Sequence, residues 1–205
     1  MIKKRLSLFF TVTALSFLSC STIHAVETAE RGFSLALPRT TLAALNYLPK
    51  LDRFVYHTIG RFLSDTVVEL EDGSQWKASF NDSYQLSTWR AHDWIMITPK
   101  HWGKNEYSYY LNNYTAGSYV EVNLVLGPLV GGVYTNTICG MDLNYGKIYL
   151  SNGTYWQVAQ GDLESISDWT IGHSIIFGSN DSWFSSYRAL LINVNLNESI
   201  FAKEI

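Results

Sequence analysis

The heptapeptide LEDGSQW at Leu70–Trp76 returns as LSNGTYW at Leu150–Trp156, eighty residues further on. Sliding the chain by eighty aligns, without a gap, Gly60 with Gly140, Leu63 with Leu143, Leu70 with Leu150, Gly73 with Gly153 and Trp76 with Trp156. Asp82 then meets Asp162, Ser87 meets Ser167, Trp89 meets Trp169 and Ile95 meets Ile175. Tyr107 with Tyr187, Leu111 with Leu191 and Asn113 with Asn193 bring the identities to twelve, where ordinary composition supplies about four by chance. Val68/Ile148, Ser74/Thr154, Leu86/Ile166 and Val120/Ile200 follow the same offset conservatively. The chain is therefore constrained to build one module twice.

Within each copy the hydrophobic period is two. Val67–Glu71, Gln75–Ser79, Trp94–Thr98, Tyr107–Asn112 and Tyr119–Leu124 are short, rich in aromatic and β-branched residues, and separated by turn residues. The shared apolar positions fall on one parity: Val68 with Leu70, Ile95 with Ile97, Tyr107 with Leu111. Alternate residues of a strand point to one face, so these positions line a core.

Parity also selects the turn inside the repeated heptapeptide. A two-residue Asp72-Gly73 loop pairs Leu70 with Gln75 and turns Trp76 outward. A three-residue loop, Glu71-Asp72-Gly73, pairs Leu70 with Ser74 and Val68 with Trp76, which sends the indole inward. Such loops end on a left-handed residue, where glycine carries no Cβ penalty. Five strands in about 65 residues predict an all-β chain: two tandem five-stranded, partly open barrels, each SH3-like or OB-like. The modules span 57–124 and 137–205, joined by a 125–136 linker that contains GPLVGG. Residues 26–56 have no counterpart in the second copy and form a leader, with a short helix expected over Thr40–Leu48 before Pro49.

Residues 1–25 have the layout of a signal peptide: Lys3, Lys4 and Arg5, an apolar Leu6–Leu18 run too short to span a bilayer comfortably, and Ala25 before the cut. Phe17-Leu-Ser-Cys20 offers the alternative of a lipobox with Cys20 as a lipid anchor. The expected location is the periplasm or medium in the first case and the membrane surface in the second. The chain has 15 basic and 18 acidic residues; losing the three basic ones of the signal peptide leaves twelve against eighteen, a net −6. An acidic mature chain is a poor nucleic-acid binder, because phosphate contacts need concentrated Lys and Arg. Cys139 is then the only mature cysteine, so no internal disulfide holds the fold and a core must.

No nucleophile elbow, Walker loop, H-E-x-x-H helix or dinucleotide turn occurs. Asp82 and Asp162 supply one shared acid per module rather than a catalytic pair, and are expected to bond backbone amides in turns. No histidine is shared between the copies. His92, Asp93 and His101 are weak metal-ligand candidates, with a spacing that matches no established zinc pattern. No cofactor is expected.

The aromatics carry more. Trp76/Trp156 and Trp89/Trp169 are shared and read as core pillars, and Trp102 and Trp183 share a loop one residue out of register. Trp94, Tyr110 and Tyr119 lie on the parity opposite the core and align with Ser174, Leu190 and Ser199. Antiparallel neighbours would bring the three rings into an outer stripe. That stripe is either a contact surface for sugar rings, peptides or another protein, or a packing surface for the second module or the leader.

The pattern Asp72-Gly-Ser-x-Trp76, a Trp89-x-x-x-x-x-Ile95 strand and Tyr107-x-x-x-Leu111-x-Asn113 resembles small exported proteins of chlamydia-type intracellular bacteria with duplicated β modules. The resemblance covers both copies and brings no activity with it. Related-looking modules carry W-x-x-G-D before the third strand. Here Trp89-Arg-Ala-His92-Asp93 keeps the Asp, and Trp169-Thr-Ile-Gly172-His173 keeps the Gly. The expectation is a non-catalytic envelope protein that binds a cell-wall or protein ligand through Trp94, Tyr110 and Tyr119. The alternatives are a metal-assisted hydrolase using His92, Asp93 and His101, and a structural assembly subunit.

Overall fold

The computed structural model describes residues 56–101, 106–182 and 184–205. The expected signal segment with Cys20, the expected helix at Thr40–Leu48, and Trp102 and Trp183 lie outside these residues. Two closed six-stranded antiparallel barrels follow one another along the chain. The first holds β1 (Tyr56–Ser64), β2 (Val67–Leu70), β3 (Gln75–Ala78), β4 (Trp94–Pro99), β5 (Tyr109–Asn113) and β6 (Ser118–Leu126) in the order β1-β2-β3-β6-β5-β4. The second repeats that order with β7 (Asn136–Asp142), β8 (Lys147–Leu150), β9 (Tyr155–Val158), β10 (Ser174–Ser179), β11 (Ala189–Asn193) and β12 (Glu198–Glu204). A 3₁₀ turn and the five-residue helix α1 (Ser83–Ser87) bridge β3 to β4. Among the described residues no helix is long and apolar enough to cross a membrane.

The barrels have six strands rather than five and are closed rather than partly open, and the extra strand explains both differences. In β1 only His57 and Ile59 are buried, and a register shift between Ile59 and Arg61 breaks the alternation. A bulge inserts a residue and reverses the parity after it, so no period of two can be read through Tyr56–Ser64. With β1 in place, β4 pairs with it and the sheet has no free edge.

The same strand hides a gap in the repeat. Ile59 faces Leu70 as Ile138 faces Leu150, and Phe62 faces Val68 as Met141 faces Ile148, an offset of 79. The matches Gly60/Gly140 and Leu63/Leu143 are thus one residue out of structural register. The β7–β8 turn holds an extra residue, and from β2/β8 onward the offset of eighty holds.

The repeated hairpin forms as its parity requires. Val68 pairs with Trp76, the Leu70 amide donates to the Ser74 carbonyl at 2.9 Å, and Gly73 and Gly153 sit at φ 85° and 86°. Both indoles are buried, and each Nε1–H donates to the hydroxyl two residues earlier, Ser74 at 2.9 Å and Thr154 at 2.7 Å. Ile95, Ile97 and Leu111 complete the first core with Tyr109, which takes the inward place expected of Tyr107 because β5 begins at Tyr109.

The turn before β4 shows why each copy keeps half of the G-D pair. His92 occupies φ 69° where Gly172 occupies φ 93°. Asp93 and His173 do one job with different atoms. Asp93 Oδ2 accepts the Arg90 amide and the Asn113 amide group, while His173 Nδ1 accepts those of Thr170 and Asn193. A left-handed histidine costs about 1–2 kcal/mol, partly offset by the extra chain entropy of an unfolded glycine. His92→Gly should therefore raise stability in urea unfolding by about 0.5–1 kcal/mol, and Gly172→His should lower it.

Candidate functional site

Trp94, Tyr110 and Tyr119 do not form one stripe. On β4 and β5, Thr98 faces Tyr110, so Trp94 lies four residues further along its strand. Trp94 is half-buried and meets Tyr56 edge-on at 5.9 Å, and Tyr56 meets Tyr114 at 6.0 Å. Tyr110 and Tyr119 form a separate T-shaped pair, 5.4 Å between centroids, on the outer face of β5 and β6. Tyr119 is 62 % exposed. Lys100 Nζ lies 5.9 Å from the Tyr110 ring and 2.7 Å from Glu121 Oε2, which places an ion pair at the edge of this aromatic pad.

His92, Asp93 and His101 have separate tasks. His92 is exposed at its left-handed turn, the Asp93 carboxylate is taken up inside that turn, and His101 Nε2 lies 3.0 Å from Asp181 Oδ1 of the second barrel. Among the described residues no three His, Cys, Asp or Glu side chains are grouped to hold a metal ion.

Contacts between the barrels gather a set of residues that the spacing in the chain conceals. β4 packs against β10, and Ile176, Leu190 and Ile192 on the outer face of the second barrel join the apolar cluster of the first. Leu190 is the counterpart of Tyr110, so one position serves the seam in one copy and the pad in the other. His57, at the start of β1 and 6 % exposed, reaches across this seam. Its Nε2 donates to the Phe177 carbonyl at 2.8 Å, and its Nδ1 donates to Glu71 Oε1 at 2.9 Å. Glu71 Oε2 accepts the Thr58 amide at 2.7 Å. Asp72 is buried beside them and accepts the Ser74 amide at 2.8 Å. His57 sits fourteen residues from Glu71 and 120 from Phe177, so no local motif announces the group.

Both imidazole nitrogens act as donors, which is the cationic form. Burial pushes the His57 pKa down, but the bond and charge of Glu71, the charge of Asp72 and the Phe177 carbonyl outweigh it and raise it to about 9. Glu71 is held below the usual carboxylate range: burial opposes this, and the hydrogen bond and charge of His57 overcome it. Asp72 is shifted upward by burial, against the attraction of His57 and the bonds from Ser74.

No family model, no curated protein and no solved structure matches the chain.

A group whose pKa is raised on folding adds stability below its unfolded value and loses it as pH climbs through the folded one. The His57 contribution is thus complete below about 6.5 and disappears as pH rises through about 9. Urea unfolding at steps from pH 6.5 to 10 should show a loss on the order of 2 kcal/mol. A profile flat over that interval would refute the charged seam.

Proposed function

We propose that this chain is an exported, non-catalytic binding protein of a bacterial envelope, and that the Tyr110–Tyr119 pad holds a cell-wall ligand. The observation that carries this reading is the pad's independence from the fold. The second barrel closes in the same strand order with Leu190 and Ser199 at these positions. A surface aromatic pair that the architecture does not need, with Tyr119 exposed and Tyr110 half-buried beside the Lys100–Glu121 ion pair, suits a sugar ring: its apolar face lies on the aromatics and its hydroxyls reach the Glu121 carboxylate. Trp94 belongs to a second aromatic group with Tyr56 and Tyr114, apart from the pad.

Export follows from the layout of residues 1–25, with Cys20 as the anchor if lipidation replaces cleavage after Ala25. The likeness of the repeated pattern to exported proteins of intracellular bacteria supports the same compartment. Each barrel is read as an enlarged small barrel of SH3-like or OB-like type, with a bridge between its third and fourth strands that opens on a 3₁₀ turn and, in the first barrel, continues as α1.

Co-sedimentation of residues 26–205 with purified cell-wall sacculi tests the reading. The wild-type chain should pellet, and Tyr119→Ala, at an exposed position that leaves the core intact, should weaken binding about tenfold or more. Equal pelleting of the two proteins, or of neither, would refute the cell-wall pad. Recovery of an envelope protein dependent on Tyr119 would keep the surface and change its ligand.

A further inference from the structure

A cavity of about 200 Å³ opens at the seam, lined by Tyr56, Glu71 and Asp72 of the first barrel, Asn152 and Phe177 of the second, and Tyr134 of the connection. His57 also faces it, and its charge balances that of Glu71. Asp72 is then the unbalanced charge among the described lining residues.

The turn that holds Asp72 does not need that charge. Asp72 Oδ1 accepts the Ser74 amide, and Asn152 Oδ1 accepts the Thr154 amide at 3.0 Å in the same loop of the second copy. The two hairpins end on glycines with φ values one degree apart. A neutral amide closes this turn as well as a carboxylate does. A buried carboxylate beyond what the turn requires is unfavourable, and burial indeed raises the Asp72 pKa. A ligand that brings the missing positive charge would account for it. Tyr56 and Tyr134 offer aromatic walls, which attract cations through their ring faces. The volume lies below the roughly 300–1,000 Å³ of pockets for drug-sized molecules, so the cationic part must be small.

We propose that the seam cavity binds a small organic ammonium group, with Asp72 as its counter-ion and Tyr56 and Tyr134 as its aromatic walls. The assignment stands apart from the Tyr110–Tyr119 pad and does not depend on it.

The test is titration of the mature chain with n-butylammonium, followed by amide NMR shifts, beside n-butanol as the neutral molecule of like shape. Saturable shifts centred on the Asp72 and Asn152 loops are expected with butylammonium and not with butanol. Asp72→Asn, which copies the loop of the second barrel and should fold, is expected to weaken binding about tenfold. Asn152→Asp, which places a carboxylate on the opposite wall, is expected to strengthen it. No shifts at these loops, equal shifts with butanol, or an affinity unchanged in both variants would overturn the proposal. A blocked lysine peptide then separates sources: if it competes with butylammonium, the ammonium belongs to a partner's lysine; if it does not, the ligand is a free amine.

Discussion

Closure between the third and sixth strands is the constraint on which both barrels depend. The hairpins β1–β2, β2–β3 and β5–β6 and their counterparts in the second barrel are joined by short turns, whereas β3 meets β6 and β9 meets β12 across the rest of each copy, with Ala78 facing Val122 and Val158 facing Ala202. One carboxylate in each copy marks the place. Asp82 Oδ2 accepts the Glu121 amide at 2.8 Å, and Asp162 Oδ2 accepts the Phe201 amide at 2.7 Å. The backbone adds Ser79 N to Glu121 O and Ala159 N to Phe201 O, both at 2.8 Å. A charge-assisted bond to a strand amide is directional and roughly twice as strong as a neutral one. It fixes where the bridge from β3 leaves the sheet, and with it the path to β4. β4 then pairs with β1 and closes the sheet without an open edge.

These acids show how far the sequence could be read. That Asp82 and Asp162 bond backbone amides follows from their place after a strand. That the amides belong to the sixth strand, 39 residues away, does not. The hairpin was legible for the opposite reason: Leu70, Gly73, Ser74 and Trp76 settle its register within seven residues. The first strand escaped because its bulge cancels the period and its one-residue turn difference shifts the repeat. Residues whose partners are local can be inferred from pattern. Those that face another barrel, such as His57, cannot.

The two copies agree wherever a residue serves closure and differ where it serves a neighbour. Trp89 and Trp169 keep their indoles buried while their Nε1–H groups find Ser118 in one copy and Glu198 in the other. Asp93 and His173 exchange a carboxylate for an imidazole acceptor without changing the turn. Gly117 at φ 66° is replaced by Asn197 at φ 54°, the non-glycine type that tolerates the left-handed region best. Duplication thus leaves the outer faces free to change. The first copy carries the Tyr110–Tyr119 pad, and the second covers the same strands with Leu190 and Ile192.

The seam combines a contact that adheres with contacts that orient. Burial of Ile176, Leu190 and Ile192 is favourable for almost any sliding of one sheet over the other, because apolar burial has no direction. Gly178 removes part of that freedom. A Cβ there would stand 2.7 Å from the Ile97 carbonyl oxygen, so the sheets approach more closely at this point than any side chain permits. His57 removes more, since its two N–H vectors must meet Glu71 on one side and the Phe177 carbonyl on the other. A buried ion pair is a weak source of net stability but loses several kcal/mol when one partner is displaced. A relative shift of the barrels by one residue would strand that imidazolium. The charge therefore contributes chiefly by excluding wrong arrangements, and the cavity beside it keeps its shape for the same reason.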